Sequence, residues 1–176
     1  ERGKAMQSAV PIGNGAMIAV LGLGTEELQN FINKNETNKG ICEIANDNAS
    51  GQIIISGNRE KVEQIQNDLK QEKIKTIPLK VSAPFHCSLM KTASDSMRDK
   101  INNTNFQKPD LEIISNVTAN PENDPDKIKD LLIKQIYSSV KWRESIIKMS
   151  SAGVTNYIEI GPGKVLSGMV KRTIKN

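Results

Sequence analysis

The sequence predicts an α/β chain. Apolar runs closed by turn residues alternate with stretches whose apolar side chains recur every three or four positions. The two halves of the chain follow different rhythms, which predicts two units. The length of 176 residues fits one ordinary domain, or a domain that holds a smaller inserted one.

MIAVLGL, starting at Met17, is an apolar run ending in glycine and predicts a strand. Thr25 is placed to cap a helix, with Glu26 and Glu27 in the first turn, where the helix dipole favours carboxylates. Leu28, Phe31 and Ile32 give that helix an apolar stripe. ICEIAN (41–46) predicts a second strand, DNASG (47–51) a turn, and the β-branched QIIISG (52–57) a third strand. Asn58 caps a second helix whose Val62, Ile65 and Leu69 fall on one face. KTIPLKV (75–81) predicts a fourth strand, and Pro78 marks it as an edge. The order β-α-β-β-α-β is the split βαβ, or ferredoxin-like, plan.

The remainder alternates differently. Met90, Ala93, Met97 and Ile101 form a helical stripe, and LEIISNV (111–117) reads as a strand. Asp124 and Pro125 open a helix as N-cap and first-turn proline, with Ile128, Leu131, Leu132 and Ile136 inward. A shorter helix follows Trp142 and stops at Gly153. YIEIGPG (157–163) predicts a strand entering a tight turn, and the last helix carries Val165, Leu166, Met169 and Val170.

Composition excludes several classes. With 37% apolar and 25% charged residues, the chain reads as soluble and globular. No apolar stretch is long enough to span a bilayer, and no signal peptide stands at the N-terminus, so a cytoplasmic protein without membrane partners is expected. Cys42 and Cys87 are then expected to be reduced. Two Cys and one His do not complete a four-ligand zinc site without carboxylates, so no metal is expected. The net charge of +4 fits a solvated surface, or a mildly basic face that meets an acidic partner. Glu1 in place of Met reads as a piece of a longer protein.

His86, in PFHCSLM (84–90), is the only histidine. A lone histidine is more often structural than catalytic. Here Pro84 fixes the backbone entering the loop and a helix starts just after, which is where a rigid scaffold can present a reactive group. GPGK (161–164) has neither the length nor the Ser or Thr of a phosphate-binding P-loop and reads as a tight turn. Arg2 is a surface arginine by default; near a cleft, its planar fork would pair with a carboxylate. Asn46 and Asn48 read locally as turn residues. No G-x-S-x-G occurs, so a nucleophile for His86 is not a serine on a standard elbow in this chain.

RGKAMQSAVP, GAMIAVLGL, NDNASGQIIISG, PFHCSLM, SNVTA, KQIYSSVKW and IEIGPGKVLSGMVKR together resemble the malonyl-CoA:acyl carrier protein transacylase family, in its order and spacing and over essentially the whole chain. The resemblance implies the C-terminal part of an α/β-hydrolase-like acyltransferase domain with an inserted ferredoxin-like subdomain. Residues 12–81 would be the insert, and residues 1–11 and 82–176 the large domain. It implies transfer of a malonyl group from malonyl-CoA to the phosphopantetheine thiol of acyl carrier protein, in fatty acid synthesis, with no further cofactor. The family's serine stands on a G-H-S-x-G elbow upstream of this chain, so the chain alone is expected to be inactive.

By the same matching, His86 resembles the catalytic base, with the backbone carbonyl of Gln135 as its orienting partner. Arg2 resembles the arginine that binds the malonyl carboxylate. Phe85 would face the acyl C2 and disfavour an α-methyl branch. Asn46, Asn48 and Asn116 match polar positions near the cleft. Ser50 departs from the proline common in N-x-N-x-P-G-Q. Lys164, Lys171 and Arg172 form a basic cluster expected to dock the acidic carrier. Two other classes compete. An RNA-binding ferredoxin-like sheet would need exposed aromatics that these strands lack, so no nucleic acid is expected. A serine hydrolase of related fold would need neither an arginine clamp nor a docking helix.

Overall fold

The computed structural model describes residues 1–35 and 40–174. A short helix α1 (Arg2–Ser8) precedes β1 (Gly15–Leu21), α2 (Thr25–Lys34), β2 (Cys42–Ala49), β3 (Gln52–Asn58), α3 (Arg59–Gln71) and β4 (Lys75–Pro78). The four strands form one antiparallel sheet in the order β2-β3-β1-β4. β3 runs antiparallel to both β1 and β2, so β1 and β2 are parallel with β3 between them. This is the ferredoxin-like order, consistent with such a subdomain.

Both faces of the sheet are covered, which is why β1 and β3 read as near-continuous apolar runs and not as alternating ones. Ile18, Val20, Ile53 and Ile55 face Leu28, Ile32, Val62, Ile65 and Leu69 of α2 and α3. Each such fully buried aliphatic contributes about 1.5–3 kcal/mol. Met17, Ala19, Ala45 and Ile54 line the other face, where Leu79 and Phe85 pack. Phe85 also packs on Met6, Val10, Ala83, Met90, Ala93 and Ile136. One ring thus joins the sheet to the helical remainder.

That remainder holds a 3-10 turn (Ser88–Met90), α4 (Lys91–Asn102), β5 (Ile113–Ile114), β6 (Pro121–Glu122), α5 (Pro125–Gln135), α6 (Trp142–Ser151) and α7 (Val165–Thr173). Asp124 caps α5, its carboxylate accepting from Asp126 N at 3.0 Å, with Pro125 in the first turn. Gly153, at φ +89°, follows the end of α6. Among the described residues, no helix is long and apolar enough to cross a membrane.

Several elements differ from the sequence reading. Gly24, not Thr25, is the N-cap of α2, and the Thr25 hydroxyl donates to Asp47 at 3.1 Å instead. Asn58 caps α3 by position only; its Oδ1 accepts from Ile41 N at 2.7 Å. β2 continues past Asn46 through Asp47 and Asn48 to Ala49, where the sequence predicts a turn. Register shifts between Ile44 and Asn46 and between Asp47 and Ala49 let this polar stretch stay paired with β3. β4 ends at Pro78, short of Val81. Only two residues of LEIISNV are strand, paired with Pro121–Glu122. Tyr157–Ile160 is in no strand among the described residues, and Ile158 and Ile160 are 85% and 95% exposed. A strand exists only where a neighbour completes its ladder, and sequence pattern does not report the neighbour.

Candidate active site

His86 sits in the left-handed region at φ +58°. That conformation costs a non-glycine residue about 1–3 kcal/mol and persists only where the surroundings enforce it. Three contacts do so. Pro84 is wedged against Gly15 so closely that a Cβ there would lie 2.3 Å from Pro84 Cδ. The buried Cys87 thiol donates to Pro84 O at 3.1 Å. Glu43 on β2 accepts from Ser88 N at 2.8 Å and Ser88 Oγ at 2.6 Å. The loop is therefore pinned on both sides of the histidine.

The His86 ring is half-buried, and Nδ1 lies 3.1 Å from Gln135 O. A carbonyl only accepts, so Nδ1 carries the hydrogen and Nε2 has the free lone pair. Burial lowers the His86 pKa below the ordinary 6.5; the Gln135 carbonyl pulls it back up and the charge of Arg2 lowers it further. The imidazole is neutral at pH 7 and able to take a proton. The unfolded chain binds this proton more readily, so folding loses stability as pH falls from 6.5 toward the lowered value.

Gln135 is itself held. Its Nε2 donates to Asn116 Oδ1 at 2.7 Å, and Asn116 O accepts from Lys141 N at 2.9 Å. Asn116 thus supports the acceptor of His86. Arg2 lies on α1, exposed at its surface, with no hydrogen bond or ion pair among the described residues. Lost hydration lowers its pKa. Met6 of the same helix packs in one cluster with Phe85, next to His86 in the chain, and the Arg2 charge acts on the ring.

Asn48 is buried and Asn46 half-buried on β2, beside the segment that carries Gln135. Val140 N donates to Ala45 O at 2.8 Å and Asp47 N to Val140 O at 3.0 Å. Lys164, Lys171 and Arg172 are exposed on α7 and its N-cap. Lys164 and Lys171, seven residues apart, share a helix face. Gly161 and Gly163, at φ +146° and +89°, make GPGK a tight turn before α7.

Glu43, Asp47 and Arg143 carry geometry that sequence reasoning missed. Arg143 Nε and Nη2 donate to Asp47 Oδ1 and Oδ2 at 2.9 and 2.7 Å. The partners lie 96 residues apart, and the bulges that turn Asp47 inward leave no mark in the sequence. Burial pushes the Cys42 thiol up to about 12 and raises that of Cys87, so neither is a thiolate nucleophile at pH 7. Among the described residues, no group of three or more His, Cys, Asp or Glu gathers as a metal site.

A neutral imidazole oriented by a carbonyl, on an α/β scaffold and near an unpaired guanidinium, has the chemistry of a general base for acyl transfer. Residues 1–176 match the family described as the acyl transferase domain, and the chain belongs to it. It is a homologue of the malonyl CoA-acyl carrier protein transacylases. It is 43% identical over 173 residues to that of Bacillus subtilis (strain 168), covering 98% of this chain and 55% of that protein. For the Escherichia coli (strain K12) transacylase the figures are 37% over 174 residues, 98% and 56%. The crystal structure of an acyl carrier protein S-malonyltransferase from Vibrio cholerae superposes with a TM-score of 0.94 at 41% identity, covering 99% of this chain and 57% of that one. A malonyl-transacylase in complex with its type II PKS acyl-carrier protein gives 0.93 at 36% identity, covering 98% and 56%. The chain spans a little over half the length of these relatives.

Proposed function

We propose that this chain is the portion of a malonyl-CoA:acyl carrier protein transacylase that supplies the general base. The observation that carries the reading is the His86 ring, held at a positive φ with Nδ1 on the Gln135 carbonyl, in a chain of the acyl transferase family. A serine upstream of this chain would attack the malonyl thioester. His86 Nε2 would take the hydroxyl proton and return it to the leaving CoA thiol. The phosphopantetheine thiol of the carrier would then give up its proton to His86 and attack the acyl-serine; as the serine–acyl bond breaks, His86 would pass that proton to the serine oxygen and the carrier would leave with the malonyl group. A carbonyl partner fixes the tautomer but stabilises imidazolium less than a carboxylate would.

Arg2 would pair with the malonyl carboxylate, and Asn46, Asn48 and Asn116 would serve as polar walls or supports of the cleft. Phe85 would crowd an α-methyl group, so labelling with methylmalonyl-CoA should be slower than with malonyl-CoA. Residues 12–81 would form the subdomain; residues 1–11 and 82–176 would belong to an α/β-hydrolase-like body completed by sequence outside this chain. The exposed Ile158 and Ile160 fit such a completion. The setting would be cytoplasmic fatty acid synthesis.

The test is mass spectrometry of the protein extended N-terminally to the length of its relatives. Malonyl-CoA should leave a malonyl group on serine; a serine that stays unmodified over many minutes would end the reading. For the carrier, Lys171→Glu with Arg172→Glu should raise KM for acyl carrier protein and spare KM for malonyl-CoA. An unchanged carrier KM would remove α7 from the docking face.

A further inference from the structure

β2 carries two carboxylates that reach out of the four-stranded sheet and grip the rest of the molecule. Glu43 takes both the backbone N–H and the hydroxyl of Ser88, two residues past His86. Asp47, with its side chain 5% exposed, takes the Arg143 fork and the Thr25 hydroxyl. The backbone seam between Val140 and residues 45 and 47 lies alongside. Val140 and Arg143 stand on the stretch that begins at Gln135, whose near end is tied to Asn116. One strand therefore holds both members of the His86–Gln135 bond. It reaches the imidazole through Ser88, and the carbonyl's segment through Val140 and Arg143.

The chemistry suits positioning. Each carboxylate accepts two or more hydrogen bonds from groups in other segments, and paired acceptance fixes orientation as well as distance. A bond of 3.1 Å between segments 49 residues apart depends on such a frame, because neither partner sets the other's place along the chain. We propose that Glu43 and Asp47 are positioning residues: two carboxylates on β2 that keep His86 and its Gln135 acceptor in register. The proposal rests on the acyl-transfer reading above. Neither residue touches the reacting atoms.

The test uses the transferase extended to the length of its relatives, with malonyl-CoA as donor. Glu43→Gln keeps the shape but loses one acceptor oxygen. Arg143→Lys keeps the charge but lacks the fork. Asp47→Asn is a second isosteric change should either of these fold poorly. Each is expected to lower kcat about tenfold and leave KM for malonyl-CoA within about twofold. Combined with His86→Ala, each should add no further loss to the residual acylation rate, because its effect passes through the ring. Unchanged kcat in the single variants, or equal losses with and without His86, would overturn the proposal. Failure of the acyl-transfer reading has a different signature: the parent enzyme itself would leave its serine unlabelled.

Discussion

His86→Ala is expected to slow serine acylation in the extended enzyme by about 10²–10⁴-fold, the usual contribution of a positioned general base. The size follows from the state of the ring. Burial and the nearby Arg2 charge keep it neutral at pH 7, and the Gln135 carbonyl fixes the hydrogen on Nδ1. The lone pair on Nε2 is then ready to receive a proton. Alanine removes that acceptor while leaving Arg2, the proposed malonyl clamp, in place. KM for malonyl-CoA should therefore change far less than kcat, which separates loss of chemistry from loss of binding. The substitution also relieves no packing that the core depends on, since the ring is only half-buried and its neighbours Pro84 and Cys87 carry the burial. Labelling by malonyl-CoA, followed over time by mass spectrometry, reads the effect. Labelling at the parent rate would remove His86 from the mechanism.

Arg2→Ala is expected to erode the preference for malonyl over acetyl groups. A charge-assisted hydrogen bond is worth about 1.5–3 kcal/mol, or roughly 10–150-fold in the ratio of kcat/KM values. The guanidinium has no partner among the described residues, and partial desolvation already lowers its pKa. An incoming carboxylate would pair with the guanidinium; an acetyl group would not. Because Arg2 is exposed and holds no other element in place, stability should move by no more than about 0.5 kcal/mol. The two thioesters, compared at equal enzyme concentration, give the ratio directly. An unaltered ratio would show that the malonyl carboxylate is held elsewhere.

The β-α-β-β-α-β plan was legible because its signals are local. Glycines close the strands, and apolar residues in α2 and α3 repeat at helical spacing. His86 stood out as the only histidine, between a proline and a helix start. What the sequence hid depends on distant neighbours. Tyr157–Ile160 has strand composition but no ladder among the described residues. Asn46 to Asn48 has turn composition but stays in β2, because register shifts and the Val140 seam keep it paired. Thr25 looked like a cap, yet its hydroxyl serves Asp47. The backbone strain at His86 has no sequence signature either, since histidine is enriched at positive φ yet adopts it in a small minority of positions.

The central physical condition is one imidazole held neutral, with its hydrogen on Nδ1 facing a carbonyl. Histidine-selective ¹⁵N labelling of the extended enzyme reports it, with the His86→Ala variant assigning the signals. The expected result is an Nδ1–H tautomer that titrates below 6.5. An Nε2–H tautomer, or a midpoint above that value, would contradict it.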